Sequence, residues 1–206
     1  MVSRAAIPEA FLVFVMIMAY IWKLRLTHPL FWLVPMAVVL ASHVMRHQRA
    51  RELGFGARNF GNCLRAIGPA LAGLVVTIWV AGLLLGTMRP QGFVEALQSF
   101  VVYLPWGLFQ QYLINGYFLK RFEMGLSRRP ARILTSALFC VAHTPNWFLM
   151  LVTPVAAFAA IGVYRRYANL YFLGLAHAAL GFAIFMVVPD SVSHHLRVGP
   201  RWFTWR

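Results

Sequence analysis

The sequence predicts an all-α fold, a polytopic transmembrane bundle of about seven spans. Three observations predict it. First, 61% of the 206 residues are hydrophobic and only 12% are charged, with a mean hydropathy of +0.68. A water-soluble domain runs nearer half apolar and a quarter charged, so this chain lacks the polar side chains to cover a globule in water. Second, the apolar residues fall in long runs, as the hydrocarbon core requires. Third, the net charge of +14 sits mainly in short loops between those runs. That is the positive-inside bias of a membrane protein; a nucleic-acid-binding domain would carry the charge without the runs, so no nucleic-acid partner is expected.

Seven runs are candidate spans: Ile7–Trp22, Pro29–Val44, Ile67–Met88, Phe93–Leu119, Ile133–Val152, Pro154–Tyr164 and Leu170–Pro189. Arg4 before the first run resembles the start of a signal peptide, but Lys23, Leu24 and Arg25 follow where a small-residue cleavage site belongs, so a retained span is expected. The sixth run is short and follows the Thr153-Pro154 pair, which reads as a break; a half-span or tilted helix is expected there. The whole chain, 1–206, reads as one membrane domain.

With the N-terminus inside, thirteen Lys and Arg residues fall on inner segments: Arg4, the group from Arg46 to Arg65, the group from Lys120 to Arg132, and Arg165 and Arg166. Six fall outside: Lys23, Arg25, Arg89, Arg197, Arg201 and Arg206. The bias predicts an integral protein of a bacterial inner membrane with a cytoplasmic N-terminus. If the sixth run does not cross, the C-terminus moves inside. The tail, 190–206, is basic and carries Trp202 and Trp205, the pattern of an interfacial anchor. Its His194-His195 pair and the i,i+4 pair His43 and His47 have partial metal-ligand spacing, but no third ligand accompanies either. Neither a metal nor another cofactor is expected. Cys63 and Cys140 fall at different depths, so no disulfide is expected.

Polar side chains inside a bilayer are costly and are functional candidates. The fourth run holds Gln110, Gln111 and Asn115, with Gln111 and Asn115 on one helix face. The fifth holds His143, followed by Thr144-Pro145, and the seventh holds His177 among small residues. These groups agree in depth, near the middle or inner half, so three helices are expected to converge on one buried cavity. The alternative is interhelical hydrogen bonding, on the order of 1 kcal/mol per contact.

In order, these segments resemble the CPBP family, the CAAX-protease and bacteriocin-processing (Abi) family of glutamate-type intramembrane proteases. The family pattern is EExxxR, then FxxxH, then HxxxN or HxxxD. Here Gln110-Gln111-x-x-x-Asn115 takes the first place, Phe139-x-x-x-His143 the second, and His177-x-x-x-Gly181 the third. Gly162 to Leu170 is similar to the family's linker. The resemblance spans residues 100–187. It implies glutamates that activate water and histidines that hold water or the oxyanion.

The departures decide the chemistry. An amide keeps the shape of a carboxylate but cannot take water's proton. The motif arginine has become Asn115 as well, so both charges are lost together and no unpaired ion remains in lipid. Only Glu9, Glu52, Glu95, Glu123 and Asp190 are acidic, and all lie near span ends or loops. The expected function is a membrane binding, accessory or assembly subunit without glutamate-type proteolysis, contacting lipid and a transmembrane peptide or membrane protein. The alternatives are an intramembrane CAAX-type endopeptidase using His143 and His177, and an unrelated transporter or structural subunit.

Overall fold

The computed structural model describes residues 5–204. Arg4, Trp205 and Arg206, used in the charge count and the tail reading, lie outside the described residues. The described chain forms seven principal helices and no strand. Helix α1 is Ala6–Thr27 and α2 is Pro29–Met45. Helix α3 is Phe60–Leu85. Helix α4 begins as Phe93–Gln111, continues as a π-helix over Tyr112–Leu119 and ends at Lys120–Glu123. Helices α5 (Arg128–Val141), α6 (Trp147–Tyr167) and α7 (Leu170–Val187) follow. Four of them, α1, α3, α6 and α7, are long and apolar enough to cross a membrane. The bundle is an all-α membrane fold.

The fifth and sixth runs need correction. The break does not fall at Thr153-Pro154; it falls at Ala142–Asn146, after α5 has run only 14 residues. Thr144 precedes Pro145 and is thereby steered out of the helical region. Asn146 then starts α6 by accepting a hydrogen bond from the Leu149 amide at 3.1 Å. Pro154 sits inside a continuous 21-residue α6. The sixth element is therefore full length and the fifth is the short one. His143 stands in the turn past α5, not in the middle of a span.

Contacts between loops gather the helix ends into two groups. At one end, Tyr164 donates its hydroxyl to the Leu53 carbonyl (2.9 Å), Asn169 donates to Gly56 O (2.7 Å), and Asn59 donates to Tyr167 O (2.8 Å). Arg165 pairs with Glu123 there. Twelve of the described Lys and Arg residues lie in the segments of this basic end, against five at the other.

The opposite end is covered by the tail. Arg89 holds Asp190 in a bidentate ion pair, which keeps that carboxyl below its ordinary pKa. The Gly199 amide donates to Thr144 O at 2.8 Å. Gly199 has a φ of +63°, and a Cβ there would come within 2.9 Å of the Ile21 side chain, so glycine is required on both counts. Asn146, fully buried, donates Nδ2 to the carbonyls of Ser193 (2.8 Å) and Arg197 (3.0 Å). The tail is folded onto the bundle by named polar contacts.

Asn146→Ala would strand two tail carbonyls and the Leu149 amide. The expected loss is about 2 kcal/mol. It should appear as faster amide exchange in residues 193–199 with the rest of the bundle unchanged; unchanged exchange in the tail would refute this account of its attachment.

Candidate functional site

Helices α4 and α7 approach each other through glycines. A Cβ on Gly107 would sit 2.7 Å from Gly174 O, and a Cβ on Gly174 would sit 2.8 Å from Leu108 Cα. Backbones this close bring side chains one turn away into contact. Gln111 lies one turn beyond Gly107, and its Nε2 is 3.2 Å from His177 Nδ1. Asn115 lies a further turn along and donates Nδ2 to Gln111 Oε1 at 2.7 Å. Gln111 is buried and Asn115 is fully buried. The expected shared face is therefore present, running Asn115 to Gln111 to His177 as a chain of neutral hydrogen bonds.

Asn115 lies in the π-helical stretch Tyr112–Leu119, a distortion common at functional sites. Gln110 points elsewhere round the helix. Its Oε1 and Asn115 Oδ1 are buried carbonyl oxygens without a hydrogen-bond partner among the described residues.

The third helix contributes Phe139 and the turn after it. The Phe139 ring packs edge-on against His143, with centroids 4.5 Å apart, and also meets His177 at 6.3 Å. His143 Nδ1 is 2.6 Å from Phe139 O, which fixes Nδ1 as the protonated nitrogen and leaves Nε2 as an acceptor. The two histidines therefore flank one aromatic ring. Of the five predicted residues, Gln111, Asn115 and His177 meet directly at the α4–α7 seam, His143 is joined to His177 through Phe139, and Gln110 is not part of this chain of contacts. An open cleft of about 210 Å³ runs beside the seam, lined by apolar groups including Leu104, Leu108, Gly174 and Leu175.

Residues 92–183 match the family model described as type II CAAX prenyl endopeptidase, Rce1-like. Residues 92–183, a little under half of the chain, are similar to the CPBP family. The matched CPBP segment contains every one of the five motif positions and begins eight residues before the segment whose motifs suggested it. No curated protein and no solved structure matches the chain. The CPBP-like segment thus runs from α4 to most of α7, and α1 to α3 are attached to it.

That attachment has its own polar cluster, which sequence reasoning missed. Glu9 of α1 pairs with Arg46 (2.7 Å) and Arg121 (3.3 Å) and accepts from Tyr117 (3.0 Å) and from Ser42. Arg121, fully buried at the end of α4, also donates to Ser42 (2.9 Å), Gln48 (2.9 Å) and His43 Nδ1 (3.1 Å). His43 is thus a buried hydrogen-bond partner of Arg121, and it does not act with His47. The available signal was Ser42-x-x-x-Arg46 and Tyr117-x-x-x-Arg121, two i,i+4 pairs at the ends of apolar runs. Among the described residues no group of three His, Cys, Asp or Glu side chains comes together as a metal site. Both cysteines are free thiols.

Proposed function

We propose that this CPBP-like membrane protein binds a transmembrane or membrane-bound peptide without glutamate-type proteolysis, acting as an accessory or assembly subunit. One observation carries the reading: each of the five acidic side chains among the described residues is engaged away from His143 and His177. Glu9 serves the Arg46–Arg121 cluster, and Glu123 and Asp190 are paired with Arg165 and Arg89. Glu52 accepts from the Arg49 amide and Glu95 from the Gly92 amide. Among the described residues no acidic side chain is paired with Gln111, Asn115, His143 or His177. The amides that replace it are tied into the chain Asn115–Gln111–His177. A neutral, hydrogen-bonded seam binds; it does not generate hydroxide.

The unpartnered acceptor of the half-buried Gln110 suits an amide N–H of an extended peptide, which needs a partner in a dry setting. The net excess of Lys and Arg at the basic end favours placing that end, and the N-terminus, in the cytoplasm of a bacterial inner membrane. In nanodiscs, a fluorescent prenylated peptide should bind and be recovered intact by mass spectrometry. Gln111→Leu should weaken binding by about tenfold, the loss of one or two buried hydrogen bonds. Equal binding by the variant would remove the seam from the binding site.

A second reading follows from the ring arrangement alone. His143 and His177 flank Phe139 and offer a pair of titratable nitrogens. It is an endopeptidase of altered chemistry, and the two readings part on product formation.

A further inference from the structure

The first turns of α4 carry a polar stripe that neither the family motifs nor the seam uses. Glu95, Gln98 and Ser99 are spaced for one helix face, and Gln91 stands two residues before the helix begins. With Tyr103 and with Phe185 of α7, they line an open cleft of about 480 Å³ at the tail-covered end of the bundle. Polar groups at the edge of a lipid-embedded helix call for a partner.

The chemistry of the lining selects that partner. Gln91 Oε1 is a buried acceptor with no hydrogen-bond partner among the described residues. Glu95 accepts only from the Gly92 amide, at 3.2 Å, and forms no ion pair among the described residues. The nearest cation in sequence, Arg89, is committed to Asp190 and to the carbonyls of Phe185 and Val188, with its guanidinium 4.5 Å from the Phe185 ring centre. With the Phe185 ring already covered by Arg89, the cleft offers a carboxylate, an unsatisfied carbonyl and the Tyr103 ring. That set recognises an ammonium group. Because Gln91 Oε1 needs an N–H donor, a primary ammonium fits and a quaternary one leaves the acceptor unmet.

We propose that this cleft is a binding site for the primary ammonium of an ethanolamine phospholipid headgroup. The place suits a headgroup: Glu95 lies in the first turn of α4, close in sequence to Arg89, which anchors the tail at this end. The net charge of +14 repels small soluble amines and favours an amine that arrives already held in the membrane, with its own phosphate beside it.

The test uses the full chain in nanodiscs of phosphatidylethanolamine, phosphatidylcholine or phosphatidylglycerol, mixed in equal parts, with retained lipid read by native mass spectrometry. The expected result is at least tenfold enrichment of phosphatidylethanolamine over phosphatidylcholine. Glu95→Gln keeps the helix-capping geometry, since glutamine serves at that position too, and should abolish the enrichment. Gln91→Leu should reduce it severalfold. Equal retention of the three lipids, or full enrichment in a folded Glu95→Gln variant, would overturn the site. Free ethanolamine at millimolar concentration should not displace the lipid; displacement would overturn the assignment to a membrane source.

Discussion

Glu9→Ala is expected to cost the fold about 3–5 kcal/mol, the usual consequence of removing one partner of a buried ion pair. Arg121 is fully buried and the Arg46 side chain is 6% exposed, so neither guanidinium reaches water when the carboxylate is lost. Ser42 and Tyr117 lose their shared acceptor in the same step. Because Glu9 lies on α1, Ser42 on α2 with Arg46 just past its end, and Tyr117 and Arg121 on α4, the variant should loosen the first two helices from the CPBP-like core. An unfolding titration in mixed micelles reads the loss, and protease sensitivity near residues 46–59 reads its location. Glu9→Gln keeps one acceptor and should lose less. A Glu9→Ala variant within 1 kcal/mol of the native protein would show that the cluster is not what joins the two parts.

Gly174→Leu is the second large effect. Its new Cβ meets the backbone of Leu108 at 2.8 Å, and backbone cannot step aside as a flexible side chain can. Overpacking of this kind costs about 1–3 kcal/mol, and here it also separates the helices that carry Gln111 and His177. The variant should lose both stability and peptide binding. Gly73→Leu is the matched control, because nothing lies within 4 Å of a Cβ at that position on α3; it should be silent. If the two variants behave alike, the close approach of α4 and α7 does not hold the seam together.

Much of this was legible in the sequence because the bilayer simplifies it. Apolar run length located the helices outside the fifth and sixth runs, whose boundary it misplaced, and the i,i+4 spacing of Gln111 and Asn115 gave their shared face. The break in the fifth and sixth runs was not legible from the pairs alone. Thr144-Pro145 and Thr153-Pro154 look the same in sequence, but Asn146 follows the first and caps a helix, while a valine follows the second. The Glu9 cluster was hidden for a different reason. Its members lie on three helices 33 to 112 residues apart, and single charges at span ends read as solvated until the fold shows Arg121 without solvent. The folded tail was likewise hidden, since its contacts run to backbone carbonyls that no side-chain pattern announces.

The central claim is that the seam binds and does not cleave. It is tested most directly by incubating the native protein and His143→Ala/His177→Ala, both in nanodiscs, with a panel of prenylated and transmembrane peptides and counting products by mass spectrometry. The account predicts no turnover by either folded protein, with the peptide recovered whole. Cleavage by the native protein that disappears in the double variant would contradict it, and would assign chemistry to the histidines without a glutamate.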